Sequence, residues 1–317
     1  MLKMDVNMVS VLLSTGPILE VASYPKPGNV HRLRDFTDTR FEDFLVSSLV
    51  LVPFIAKGVK RGFKGVFNKI VVGDLIYNIT RYSMSIHGGG NTCLGVATLL
   101  TPLAIASGFM LKKRGDVDVS VITKEAEKLV RKYTTVYDSI HFYKAIRYIK
   151  PSYISLKDET YGFPNILSKN YKSELLSRGL KLWDILKLSA KFDIVSKEVV
   201  EGYPLSLDAM KFLEQKLNVG IDWNNAVLDT YLYMLSRVDD TLVLRKFGRK
   251  LMRVISRRAK KILEAGGSKT TNGYKMIIKL DKYLEAKNVN PGATADIIAT
   301  AISLYSLKTR RSIIRPY

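Results

Sequence analysis

Four short segments carry residues suited to phosphate binding, cation binding or proton transfer, and each interrupts an otherwise helical rhythm. The first runs from Glu20 to His31 and contains Pro25-Lys26-Pro27-Gly28. Two prolines and a glycine stiffen this loop and fix the direction of Lys26, which suits an ammonium group that meets a phosphate chain. Asp38 follows as an acid, and the plainer reading of the whole segment is a Pro-rich turn after a first helix. The second segment is Gly88-Gly89-Gly90-Asn91-Thr92, directly before an apolar run. Glycines at a helix start let main-chain N–H groups approach an anion, and Asn91 or Thr92 can cap the same end. The Lys-Ser/Thr ending of a Walker loop is missing, and close packing on the core is the competing reading. His87, next to this turn, suits contact with phosphate or base, or an ordinary structural place.

The third segment, Asp239-Asp240-Thr241 with Arg245 and Lys246 after it, pairs carboxylates that can hold Mg²⁺ with cations that suit phosphate. Asp240 serves equally well as a helix N-cap with Asp239 as its solvated neighbour. The fourth, Asn290-Pro291-Gly292-Ala293-Thr294-Ala295-Asp296, opens a final apolar helix. Asp296 stands in the first turn beside Ile297 and Ile298, and a carboxylate that close to a core needs a partner or a metal. It is the strongest single candidate for a functional acid.

Helices must position these groups. Thr39 with Glu42 forms a capping-box pair ahead of Phe44, Leu45, Ser48, Leu49 and Val52 at helical spacing. Asp222 caps a helix carrying Ala226, Leu228, Leu232 and Leu235, and Ser206 caps another through Met210, Leu213 and Leu217. A long helix from about Leu242 to Ala265 stops at Gly266-Gly267, and Arg245, Arg249, Arg253 and Arg257 form one basic stripe along it. Strand-like alternation is confined to Asp116–Val121. The expectation is an all-α fold: one compact multi-helix domain over residues 1–317 with a buried central apolar helix, the Pro151–Pro164 loop being the place for a subdomain seam.

Bulk composition narrows the classes. With 47% hydrophobic residues the chain has ample material for a core. A single cysteine, Cys93, forms no internal disulfide, and no signal peptide is legible, so a cytoplasmic protein is expected. Lys and Arg number 50 against 29 Asp and Glu, a net charge of +21 that attracts polyanions. The run Thr92–Leu111 is uncharged for 20 residues, long enough to span a bilayer, but it is diluted by Thr, Ser, Pro and Gly and reads better as a core helix.

Taken in order, the four segments resemble the triphosphoribosyl-dephospho-CoA synthase family, in its archaeal-type branch. The resemblance rests on Glu20 with Pro25–Gly28, on Gly90-Asn91-Thr92 with Gly95, on Asp240-Thr241, and on Pro291-Gly292 with Ala295-Asp296. The archaeal-type likeness adds Asp193–Glu198 and Gly202. Family members in citrate or malonate metabolism have an acid where this chain has His31, which leaves Asp35 or Asp38 for that role. The resemblance implies an all-helical transferase that moves the 5-triphosphoribosyl group of ATP to the 2′-hydroxyl of 3′-dephospho-CoA and releases adenine. The resemblance assigns residues to the site, and within it Lys26, Gly28, Gly89, Gly90, Asn91, Thr92, Arg245 and Gly292 are expected to bind ATP phosphates. Asp239, Asp240 and Asp296 are expected to hold Mg²⁺, and Asp296, Asp240, Glu20 and Asp38 to serve as catalytic acids or bases. ATP and dephospho-CoA or a related acceptor are the expected partners, with no membrane. The same ATP chemistry on another cofactor precursor is the runner-up, and a basic nucleic-acid-binding protein is the rival class.

Overall fold

Fourteen α-helices and one short 3-10 turn, with no strand among the described residues, form the computed structural model of the chain. It describes residues 4–65, 67–151, 155–156 and 160–311. The all-α expectation therefore holds. The brief alternation at Asp116–Val121 resolves into a helix start, because the Asp118 carboxylate accepts from the Ser120 and Val121 N–H groups. The helices group into two compact units, Met1–Ser14 with Val46–Tyr203 and Thr15–Leu45 with Pro204–Tyr317. Two of the three boundaries fall inside helices α1 (Val6–Ala22) and α2 (Phe41–Lys64), so no linker composition marks them. The Pro151–Pro164 loop, of which residues 152–154 and 157–159 lie outside the described residues, falls within the first unit and is no seam.

The first unit is built around α4 (Leu94–Arg114), which follows α3 (Gly73–His87). Helix α4 is long and apolar enough to cross a membrane, and 83% of its most apolar window is buried inside the protein. Leu99, Leu100, Leu103 and Ile105 are wholly enclosed, each worth roughly 1.5–3 kcal/mol relative to exposure. Helix α2 reaches α4 through glycines: a Cβ at Gly62 would stand 1.8 Å from the Ile105 carbonyl oxygen, and one at Gly108 1.9 Å from that of Val59. Helix α5 (Val119–Tyr133) packs on α4, and α6 (Val136–Ile149) packs on α3. The start of α3 is pinned by buried Asp138 of α6, whose Oδ1 accepts from the N–H groups of Val71, Val72 and Gly73, each at 2.8 Å. Short helices α7 (Tyr171–Ser177), α8 (Leu182–Ser189) and α9 (Ile194–Glu201) complete the unit.

The second unit comprises α10 (Pro204–Asn218), α11 (Trp223–Arg237), α12 (Thr241–Glu264), α13 (Thr271–Glu285) and α14 (Gly292–Thr309), with the chain around residues 15–45. Asp222 caps α11 as expected, accepting from Asn225 N–H. Two other starts differ from the sequence reading. Helix α10 begins at Pro204, where proline's fixed φ and missing donor suit the first turn, so Ser206 lies inside it. Helix α2 begins at Phe41, and the reach-back comes from Asp43 to the Arg40 N–H at 2.8 Å rather than from Glu42 to Thr39. Helix α12 ends where Gly266-Gly267 was expected to stop it, and is broken within by Gly248.

Candidate active site

The Pro-Lys-Pro-Gly loop lies in the second unit and turns inward. Asn224 of α11 brackets Tyr24, accepting from its N–H at 3.0 Å and donating to its carbonyl at 2.7 Å. The Tyr24–Pro25 peptide bond that follows is cis. Lys26 is fully buried, and its Nζ donates to Glu20 Oε1 at 2.5 Å and to the Glu20 carbonyl at 3.0 Å. Lys26 was expected to present a rigid cation to phosphate, but it faces the last turn of α1. The two prolines fixed its direction; the nearby carboxylate decided which direction that is. Burial pushes the Glu20 carboxyl up and the Lys26 ammonium down, and each partner's charge partly restores the other. Glu20, a candidate base, is engaged in the same pair.

Gly28 has φ +76°, and a Cβ there would stand 2.7 Å from the Val289 carbonyl oxygen, so only glycine fits this turn. Its N–H donates to Asp281 Oδ1 at 3.0 Å. The next residue reaches the fourth segment: Asn29 Nδ2 donates to the Pro291 carbonyl at 3.5 Å. Tyr231 of α11 closes over the loop, donating to the Pro27 carbonyl at 3.1 Å. The third and fourth segments meet at Asp240, which is fully buried at the start of α12. Its Oδ1 accepts from the Leu242 and Val243 N–H groups, and its Oδ2 accepts from the N–H and hydroxyl of Thr294. Three of the four segments are thus tied to one another within one unit.

Those four bonds occupy the acceptor sites of the Asp240 carboxylate, so it serves as cap and strut and does not fit a metal ligand. Burial raises its pKa, against the hydrogen bonds that lower it. Among the described residues no group of three or more His, Cys, Asp or Glu side chains converges on one point. Mg²⁺ carried by a triphosphate needs only one or two carboxylates beside water and phosphate oxygens. Of the other expected ligands, Asp239 is exposed and Asp296 is half-buried in the first turn of α14, one turn after Gly292. Arg245 is exposed on the first turns of α12.

The glycine-rich turn belongs to the first unit. There Asn91 Oδ1 accepts from the Cys93 and Leu94 N–H groups and so opens α4. Thr92 is buried, with its hydroxyl 2.5 Å from that of Ser47 and 3.2 Å from His87 Nε2. The Gly89 N–H donates to His87 Nδ1, and Gly90 is half-buried beside it. Asp38 is exposed in the loop ahead of α2, accepting from its neighbour's Thr39 hydroxyl. Asp35 accepts from the Phe41 N–H at 2.8 Å.

Four partners of the loop escaped the sequence reading: Arg34, Asn224, Tyr231 and Asp281. Arg34 holds Asp281, donating to its Oδ1 and, at 3.4 Å, to its carbonyl. Asp281 had a legible signal. Ile277, Leu280 and Leu284 lie on one helical face, and Asp281 falls on that stripe. A carboxylate there has to be buried with a partner.

Comparison with known proteins follows the same lines. The family CitG, ATP:dephospho-CoA triphosphoribosyl transferase, matches residues 8–314. A protein of Malonomonas rubra named "Probable 2-(5''-triphosphoribosyl)-3'-dephosphocoenzyme-A synthase" is 23% identical over 314 residues, 96% of this chain and 88% of its own. One of the same name from Pseudomonas syringae is 31% identical over 113 residues, 35% of this chain and only 39% of that relative's length. A crystal structure assigned to triphosphoribosyl-dephospho-CoA synthase from Archaeoglobus fulgidus aligns with TM-score 0.57 and 25% identity, covering 81% of this chain and 99% of that one.

Proposed function

The chain belongs to the CitG family of ATP:dephospho-CoA triphosphoribosyl transferases, and from that premise we propose that it moves the 5-triphosphoribosyl group of ATP to the 2′-hydroxyl of 3′-dephospho-CoA with release of adenine. The observation that carries the reading is the pair of ties in the second unit, Asn29 to Pro291 and Thr294 to Asp240. They join three sequence segments that lie far apart in the chain and whose residue types suit nucleotide chemistry.

Displacement at a sugar's anomeric carbon passes through an oxocarbenium-like state, which a nearby carboxylate stabilises. Asp296 is our choice for that carboxylate, because it stands at the opening of α14 beside the apolar Ile297 and Ile298 and keeps part of its surface accessible. Arg245 meets the triphosphate, and Asp239 with Asp296 would hold its Mg²⁺, which supplies charge neutralisation. Glu20, Lys26 and Asp240 hold the backbone in place and do not touch substrate. Asp38 keeps no role in this reading.

The test is adenine release with mass spectrometry of the acceptor, from purified protein with ATP, Mg²⁺ and dephospho-CoA. Adenine with an acceptor that has gained a triphosphoribosyl group supports the reaction, and Asp296→Asn should then lower kcat by at least about a hundredfold with unchanged melting. Adenine without that adduct moves the acceptor to another cofactor precursor. No adenine, and no ATP-induced rise in melting temperature, overturns the transferase reading for this chain.

A further inference from the structure

His31 stands three residues beyond Gly28 and is 3% exposed. Its Nδ1 accepts from the Leu33 N–H at 3.2 Å. A nitrogen that accepts carries no proton in neutral imidazole, so the ring proton is on Nε2. That Nε2 is buried and has no hydrogen-bond partner. It points at Asp281 Oδ2, 3.7 Å away. The carboxylate is held from its other side: Oδ1 accepts from Gly28 N–H and from Arg34, leaving Oδ2 toward the imidazole. The Asp281 side chain is 12% exposed and that of His31 4%.

The separation decides what fits between the two groups. It is beyond ordinary hydrogen-bond length, so the pair does not satisfy itself. It is also short enough for one oxygen, lying to the side, to reach both at about 2.8 Å. That oxygen must accept from an N–H and donate to a carboxylate, which a hydroxyl does and a phosphate oxyanion does not. We propose that His31 and Asp281 together receive the hydroxyl of the acceptor substrate, His31 holding its oxygen and Asp281 taking its proton. This rests on the transferase reading above and assigns that reaction its base. The charged and titratable groups around the pair include Arg34, Glu285 at 3.7 Å from Arg34, Tyr231, which faces the Asp281 charge, and Tyr24, whose ring centroid is 6.4 Å from that of His31 and which Arg32 overlies.

The step balances. The bond from the ribose anomeric carbon to adenine breaks, and its electron pair leaves on the adenine nitrogen. The acceptor oxygen bonds to that carbon, and its proton passes to Asp281 Oδ2 and then to the departing adenine. Protons are neither gained nor lost overall. His31 donates a hydrogen bond throughout.

Two variants and one altered substrate test this. Asp281→Asn keeps an oxygen for Gly28 and Arg34 but places an amide where the base was, and should lower kcat about 10²–10⁴-fold with the KM for ATP unchanged. His31→Phe keeps the ring and removes the N–H, and should raise the acceptor KM alone. The sharper readout is binding of dephospho-CoA against its 2′-deoxy analogue. The wild type should prefer the hydroxyl compound by about tenfold or more, and His31→Phe should bind both equally. A folded Asp281→Asn with wild-type kcat, or a hydroxyl preference that survives in His31→Phe, overturns the proposal. If Asp281→Asn does not fold, the analogue comparison decides alone. A wild type that binds dephospho-CoA without turnover overturns the reaction reading and with it the role of Asp281 as base, and leaves the analogue comparison as judge of the hydroxyl site alone. A wild type that binds neither compound overturns both.

Discussion

Glu20 and Lys26 are opposite charges placed where water reaches neither. Desolvation makes each charge costly, and only their mutual attraction and the Glu20 carbonyl offset it. The pKa directions carry the same message. Glu20's folded pKa lies above its ordinary 4.5, so its contribution is most favourable below that value and is lost as pH rises. Lys26's lies below 10.5, so its contribution is full above that value and is lost as pH falls. Burial opposes each charge, and the partner across the pair partly restores it. Glu20→Gln and Lys26→Met should therefore each destabilise by about 3–5 kcal/mol, while the double variant should lose clearly less than their sum. Urea unfolding of the four proteins measures this, and additive losses would show that the pair does not interact. The residues of this loop were legible as a rigid, functional-looking segment. Its inward turn was not, because the deciding partners, Asp281 and Pro291, lie more than 250 positions away in the chain. Asp240 was legible both as cap and as metal ligand, and only Thr294, approaching from another helix, separates the two.

At the scale of elements, periodicity and caps read well where the signal is local. Asp222 caps α11, and the Gly266-Gly267 stop ends α12, because a carboxylate oxygen and a left-handed glycine act within a few residues. The starts of α2 and α10 differ from the sequence reading for local reasons: Asp43 reaches back to Arg40 in one, and Pro204 opens the other. The approach of α2 to α4 is a case that periodicity does not reach at all. Gly62 and Gly108 look unremarkable in sequence, yet each lets a helix lie against the other's backbone. Gly62→Ala or Gly108→Ala should each cost about 3 kcal/mol, the upper end of the usual range for overpacking, because the obstructing atoms are backbone carbonyls that cannot rotate away. Thermal melting checks it, and Gly179→Ala, where the new methyl meets nothing within 4 Å, separates crowding from backbone strain.

Over the whole molecule, charge is the dominant fact. Helix α12 alone carries nine Lys and Arg against one Glu, all nine exposed, and so supplies eight of the net +21 charges. Self-repulsion of that size weakens the compact state and is screened by salt. The melting temperature should rise between about 0.05 and 0.5 M NaCl, each kcal/mol of relieved repulsion being worth about 2–4 °C. A fall would mean that surface ion pairs outweigh repulsion. The burial of α4 was legible from its Thr, Ser, Pro and Gly content, which suits packing against protein better than lipid. The division into two units was not, since two of its boundaries run through continuous helices and leave no change of composition.

That interleaving has a consequence for how the protein is made. The ribosome releases residues 15–45 early, but Asp281, which holds Gly28 and Arg34, follows 253 positions after Gly28. At about 5–20 residues per second the interval is roughly 13–50 seconds. Over that time residues 46–203 emerge in one stretch and can fold, while the nascent loop has neither Asp281 nor Pro291 to close on. The Pro-Lys-Pro-Gly loop therefore reaches its folded form only after α13 and the start of α14 have emerged.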